Sequence, residues 1–368
     1  MLTRLEIDNF RCFEGFVYEP ARKQLILGAN GCGKSSMMDA LSRLKKFVEG
    51  DLSVERLFEL RGRTRWLDQR EQRFCLQAQI DGQPYIYRLV VGAAGDPPKP
   101  VVTEEMLDCA DGALHVSVLA GQVIIKQPSE PDITYPLDVS RSVIASMGEV
   151  ALANLLHRFR RWLSRLYCFR MNPFKMSGRA EGEDATPLRD LSNFAAWYRS
   201  LSQSHPRRAY ALLKSLEETF DGFDSIELQD AAEGVRLLNA RFTREDGKPV
   251  EFRFDELSEG QRCLICLYTI LHFVVAEGRT VVIDEPESFI DLREIQPWLK
   301  TASRMVSESD GQLILISHNP ELIDQWAPRH GVRFVRDGMT PVKVEPWHGD
   351  PESGLSPAEL VARGWDDA

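Results

Sequence analysis

The chain has 368 residues, 43% of them hydrophobic and 27% charged, with a formal net charge of −10. That composition describes an ordinary globular protein with room for one large or two moderate domains and a real core. It offers nucleic acid no bulk electrostatic attraction, so a nucleic-acid partner would depend on local basic patches.

The first residues, "MLTRLEIDNFRCF", hold no uninterrupted apolar core of signal-peptide length. The longest apolar run, Cys263 to Ala276, is shorter than the roughly 20 residues of a membrane helix. A soluble cytoplasmic protein is therefore expected, and seven scattered cysteines suit a reducing compartment better than a disulfide framework.

In chain order, "LTRLEIDNF" and "GFVYE" predict two strands, and "QLIL" a third that runs into "GANGCGKSS" and the periodic helix "MMDALSRLKKFV". From about 50 to 176 the pattern is antiparallel β. "FCLQAQIDGQPYIYRLVVG" reads as a hairpin turning at Asp81-Gly82, and "ALHVSVLAGQVIIK" as another. Gly148 to Leu166 predicts an amphipathic helix with Leu152, Leu155, Leu156, Phe159, Leu163 and Leu166 on one face. Its Arg158, Arg161 and Arg165 at helical spacing form either a phosphate-contacting ridge or, more simply, a solvated face. Ser177 to Pro187 reads as a mobile loop, followed by two helices, a strand pair, "SIELQDAAEGVRLLNARF", and a further strand, "PVEFRF". The last third alternates helix and strand, which predicts a largely parallel sheet.

Four motifs carry chemistry. "GANGCGKS" fits G-x-x-x-x-G-K-[ST] between an apolar strand and a helix. There, glycines let backbone N–H groups close around phosphates, Lys34 reaches the terminal phosphates, and the Ser35 hydroxyl binds Mg²⁺. "VVIDEPE" is an apolar strand ending in Asp284, suited to hold Mg²⁺, and Glu285, suited to polarise the attacking water. "ILISHNP" ends a strand in His318, which in this company reads as a γ-phosphate sensor. In "LSEGQ", Ser258 and Gly260 at a helix N-terminus make an anion-binding end, although a serine N-cap on a core helix has the same appearance. Cys263 and Cys266, spaced as Cys-x-x-Cys, lie in the apolar run "CLICLYTILHFVVA" without a second ligand pair, so they read as buried hydrophobes rather than a redox or zinc site.

These motifs, with "LSEGQ" ahead of "VVIDEPESFID", resemble the ATP-binding-cassette (ABC) superfamily. They are most similar to its soluble branch of AAA-family ATPases, which includes the heads of structural-maintenance-of-chromosomes (SMC) proteins, Rad50, RecF and OLD-type ATPases. The resemblance covers about residues 1 to 345. It implies an α/β fold: a P-loop NTPase with an SMC-head-like mixed sheet core, an antiparallel β subdomain and a helical lobe. Residues 1–49 and 251–345 would be the two halves of the core, 50–250 an inserted lobe, and 346–368 a tail.

The resemblance further implies that two heads sandwich two ATP molecules with Mg²⁺. Asn30, Gly31, Cys32, Gly33, Lys34, Ser35 and Ser36 would hold the phosphates. Ser258, Gly260 and Gln261 would act in trans, Asp291 would be the D-loop residue, His318 the switch histidine, and Arg11 would border the nucleotide or a DNA-facing surface. Glu259 departs from the glycine usual in transporters. No glutamine stands out for the Q-loop: Gln77 and Gln79 are candidates, or "RMNPFKM" supplies another residue. Only about 30 residues follow "VRFVRD", so no nuclease domain of the OLD type is expected.

The expected protein is an Mg²⁺-dependent ATPase, a homodimer or higher oligomer. It would control a separately encoded nuclease or toxin in antiphage defence of the Septu or retron kind. The alternative is a RecF- or SMC-like DNA-binding ATPase in DNA repair or chromosome maintenance. DNA or RNA remains open as a partner, and a membrane-transport role is disfavoured.

Overall fold

The structure, a computed structural model, describes residues 1–109, 114–119, 122–127, 130–136, 138–147, 153–349 and 354–364. The chain divides into two compact units, Met1–Tyr167 with His330–Trp347, and Cys168–Arg329 with His348–Ala368.

The first unit is built on an eight-stranded antiparallel sheet. Its order is Phe16–Tyr18, Leu2–Asp8, Gln72–Ile80, Gln83–Ala94, Lys99–Cys109, Leu114–Leu119, Gln122–Gln127 and Glu130–Pro136. Alternation puts one side chain in two on the buried face. The register lines up Tyr18, Leu5, Leu76, Tyr87, Leu107, Val116 and Ile125 as one apolar row across seven strands, all of them buried. The first expected hairpin is present, with Asp81 and Gly82 both at positive φ, as a two-residue turn of this hand requires. The helix Ala153–Ser164 lays Phe159 against this face, 6.1 Å from the Tyr85 ring and 5.5 Å from Tyr87.

That helix ends two residues before its periodicity predicts. Leu152 lies outside the described residues, and the helix ends at Ser164, so Arg165 does not continue a helical ridge with Arg158 and Arg161. Leu166 is drawn into the core, and the Arg165 N–H turns back to the Trp162 carbonyl. Arg158 also faces a carboxylate, Asp81, at 3.8 Å.

Three strands of this unit, part of a six-stranded sheet, start the phosphate loop. The strand Lys23–Leu27 runs parallel to Gly331–Val335, which pairs antiparallel with Lys343–Pro346. Phe16 and Tyr18 pack edge-on against Phe334 at 5.3 and 5.5 Å, which ties these strands to the eight-stranded sheet.

The second unit contains a β-α-β element: Thr280–Asp284, the helix Leu292–Glu308, and Gln312–Ile316. The two strands are parallel and buried throughout, and Asp284 stands opposite Ile316 at their shared end. The helix Glu259–Phe273 is buried over nearly its whole length, as the apolar run predicts. Helices Phe194–Ser204 and Pro206–Glu217 accompany an antiparallel sheet in which Val235–Thr243 pairs with Phe223–Ala232, Pro249–Arg253 and Arg179–Ala180. Among the described residues, no helix is long and apolar enough to cross a membrane.

Candidate functional site

In the first unit the loop Gly28–Gly33 joins the strand Lys23–Leu27 to the helix Lys34–Glu49. Gly28, Gly31 and Gly33 all have positive φ, a conformation that side chains rarely tolerate. A Cβ on Gly28 would lie 2.4 Å from the Phe334 carbonyl oxygen, so close approach also requires glycine there. Gly33 is the N-cap residue and brings no side chain over the helix end, where backbone N–H groups and the dipole favour an anion. Lys34 is 8% exposed, and its Nζ donates to the carbonyls of Gly28 and, at 3.1 Å, Ala29. The loop therefore curls around an ammonium group that is held inside it.

Asn30, Gly31 and Ser35 are exposed, Ser36 is half-buried and Cys32 is buried. Arg11, itself at positive φ, pairs with Asp39 of the following helix at 2.5 Å and donates its backbone N–H to Gly62. Arg336 lies 5.1 Å over the Trp66 ring and donates to the Gly31 carbonyl at 3.2 Å, bracing the loop from outside. Sequence reasoning assigned Arg336 and Trp66 no such role.

The second unit brings Asp284, Glu285 and His318 together. Asp284 is buried at the strand end. Glu285 follows at φ 51° and donates its N–H to the Ile316 carbonyl at 2.8 Å, which turns its side chain out of the strand. His318 Nε2 stands 3.9 Å from Glu285 Oε1. Burial is the main force raising the Glu285 carboxyl to about 8; hydrogen bonding to Glu287 and the charges of Glu287 and Asp284 add to it, and His318 opposes them.

Two further residues reach this cluster without having been singled out. Glu287 is buried and accepts the Ser317 hydroxyl at 2.5 Å, while no donor among the described residues reaches its Oε2. Arg170, in the "RMNPFKM" segment considered for the Q-loop, places Nε 3.7 Å from Asp284 Oδ2. Gln77 and Gln79 lie on the strand Gln72–Ile80 of the first unit, where Gln79 exchanges backbone bonds with Met1.

Ser258 is the N-cap of its helix. Its Oγ accepts the Gln261 N–H at 3.2 Å, and Gln261 Oε1 accepts the Ser258 N–H at 3.0 Å, a reciprocal capping box. A Cβ on Gly260 would come within 2.8 Å of the Phe289 carbonyl oxygen, so glycine lets the signature approach the turn before Asp291. Asp291 caps the next helix by accepting the Arg293 N–H at 2.9 Å. Cys263 and Cys266 are fully buried, and burial pushes the Cys263 thiol up to about 12 and the Cys266 thiol up as well. Both behave as packing groups.

Residues 136–324, just over half of the chain, match the family described as "AAA domain, putative AbiEii toxin, Type IV TA system", and residues 4–44 match a second AAA domain family. Among solved structures, the chain is similar to an SMC head bound to the C-winged helix domain of ScpA. The TM-score is 0.52 at 14% identity, over 96% of this chain and 99% of that one. It is also similar to an SMC head domain with an extended coiled coil, bound to the C-terminal domain of ScpA derived from Pyrococcus furiosus. There the TM-score is 0.52 at 11% identity, over 100% of this chain and 98% of that one. No curated protein matches the sequence. At these identities the structural likeness establishes the fold, the P-loop NTPase fold of SMC heads, and by the match over residues 136–324 the chain belongs to the AAA domain family of that description.

Proposed function

We propose that this chain binds and hydrolyses ATP, and that two copies close around the nucleotide to control a separately encoded effector. The observation that carries the reading is the glycine-framed loop with buried Lys34 at the start of a 16-residue helix, an arrangement shaped for a polyphosphate. Asn30 to Ser36 would hold the phosphates through backbone N–H groups and Lys34. Glu285, with its raised pKa, would orient and deprotonate the attacking water near neutral pH, and His318 would donate to the γ-phosphate.

The donor set fits Mg²⁺ delivered with a nucleotide. Mg²⁺ takes one or two protein oxygen ligands plus phosphate oxygens, and the exposed Ser35 hydroxyl beside the phosphate loop is a donor of that kind. Ser35 and Asp284 would be those ligands, and the ion would neutralise phosphate charge when bound.

Exposed Phe174, Phe289 and Leu292 support a second copy acting at the signature. Phe174 and Phe289 pack edge to face at 5.5 Å, and Leu292 follows Asp291 directly. Ser258, Gly260, Gln261 and Asp291 would then face the nucleotide of the other copy. The family description names a putative toxin and a toxin–antitoxin system, which supports a role in a system of that kind; the separately encoded nuclease or toxin and the antiphage setting are part of our proposal. A RecF- or SMC-like DNA-binding role is the second reading, favoured by the exposed Arg158 and Arg161 on one helix.

Phosphate release from Mg-ATP by the purified chain, and an ATP-dependent doubling of mass in Glu285→Gln, are the expected results. Co-purification with a neighbouring gene product supports the effector; DNA-stimulated hydrolysis without a partner supports the second reading. Absence of both hydrolysis and the ATP-trapped dimer overturns the proposal.

A further inference from the structure

Two turns of the second unit carry groups that the proposed reaction uses, one with Glu285 and one with His318. They are joined twice. The Glu285 N–H donates to the Ile316 carbonyl at 2.8 Å, and the Ser317 hydroxyl donates to Glu287 Oε1 at 2.5 Å. The second link is buried at both ends, and a hydroxyl-to-carboxylate bond away from water is among the stronger hydrogen bonds. Ser317 Oγ also accepts the Asn319 N–H at 2.9 Å, which leaves its single proton directed at Glu287. Asn319 Oδ1 in turn accepts the N–H groups of Glu321 and Leu322 at 2.9 and 3.3 Å, capping the helix Pro320–His330. His318 therefore sits between two anchored neighbours, with its ring half-exposed toward Glu285.

We infer that Glu287 is a positioning residue: through Ser317 it holds the His318 turn against the Glu285 turn and so sets the distance between those two side chains. The inference rests on the ATP-hydrolysis reading above. Without the bond, the chain between Ile316 and Pro320 keeps its backbone link at Ile316 and its cap at Asn319 but loses the tie nearest the histidine. A displacement of about 1 Å at a reacting group costs on the order of 10²-fold in rate.

The test uses the full chain as Ser317→Ala, Glu287→Ala, Glu287→Gln and the double alanine variant. Three quantities are read: kcat for ATP hydrolysis, ATP affinity, and amide hydrogen exchange across residues 316–322 without nucleotide. Each single alanine variant is expected to lower kcat about 10- to 100-fold with ATP affinity held within about twofold, and to speed exchange at 317–319. The double variant is expected to fall short of the product of the two single losses, because both singles remove the Ser317–Glu287 bond, while Ser317→Ala also frees the Asn319 N–H and Glu287→Ala also removes the carboxylate beside Glu285. Glu287→Gln, whose amide oxygen still accepts the Ser317 hydroxyl, recovers most of the rate. Ser317→Ala deletes one oxygen atom and keeps the test alive should Glu287→Ala fail to fold.

Wild-type rates in both single variants, beside an inactive Glu285→Gln, overturn the positioning role and leave the ATPase reading intact. So do losses that multiply in the double variant, or losses that fall on affinity. A wild-type chain that releases no phosphate overturns the ATPase reading itself, and unchanged exchange at 317–319 in the variants then overturns the latch separately.

Discussion

Replacing Glu285 by glutamine should stabilise the nucleotide-free, Mg²⁺-free protein, and increasingly so as pH rises. The folded protein raises this carboxyl from 4.5 to about 8, mainly by burial. Between those values the unfolded chain has released a proton that the folded chain keeps. Wild-type stability therefore falls with rising pH across that window and stays lowered above it. One pKa unit corresponds to about 1.4 kcal/mol, so the full rise sets a ceiling of about 5 kcal/mol. The Glu285 side chain is 33% exposed, and solvent screening together with a proton shared with Glu287 reduces the effect to about 1–3 kcal/mol. The glutamine variant lacks this cost, because its amide has no proton to release as pH rises. Urea unfolding in EDTA from pH 5 to 9 should show little difference at pH 5 and a gap of about 1–3 kcal/mol by pH 9, worth roughly 1–4 °C in melting temperature. Stability curves for the two proteins that stay parallel across the range would refute the raised carboxyl and, with it, the account of Glu285 as a base tuned to neutral pH.

Gly28→Ala should lose ATP binding and unfold at lower temperature, because its Cβ meets the Phe334 carbonyl oxygen at 2.4 Å and φ is 140°; calorimetric titration and a melting curve check both. Ser258→Ala removes an N-cap and should cost about 1 kcal/mol in denaturant unfolding. In the same variant, hydrolysis should fall far more than ATP affinity, since the residue is assigned to a nucleotide held elsewhere. Cys263 and Cys266 should resist a thiol reagent at pH 8 until denaturant is added, because burial raises both thiols; rapid labelling of either in the native protein would contradict their packing role.

Much of this architecture was legible because the signals are local. A phosphate loop needs glycines where φ is positive, and the motif from Gly28 to Ser35 states that requirement in eight letters. The helix Leu292–Glu308 and the strands Thr280–Asp284 and Gln312–Ile316 follow from apolar periodicity and turn residues close in sequence. The early end of the helix at Ser164 was not legible, because apolar spacing continues to Leu166 and only tertiary packing takes that leucine out of the helical path.

Site residues that act through distant partners were illegible for a related reason. Glu287 and Ser317 are 30 positions apart, and each alone reads as an ordinary polar residue within a recognised motif. Arg170 and Asp284 meet from separate segments, and no pattern in either names the other. The deciding quantity is the register of two parallel strands, Thr280 opposite Gln312 through Asp284 opposite Ile316. Hydrophobic runs reveal that both strands are buried, but a strand that is apolar on both faces carries no alternation to fix its register. Sliding one strand by a single residue would exchange the faces of its side chains and part Ser317 from Glu287, while "VVIDEPE" and "ILISHNP" would read the same. The motifs specify the reacting groups, and the register decides which groups can work as a pair.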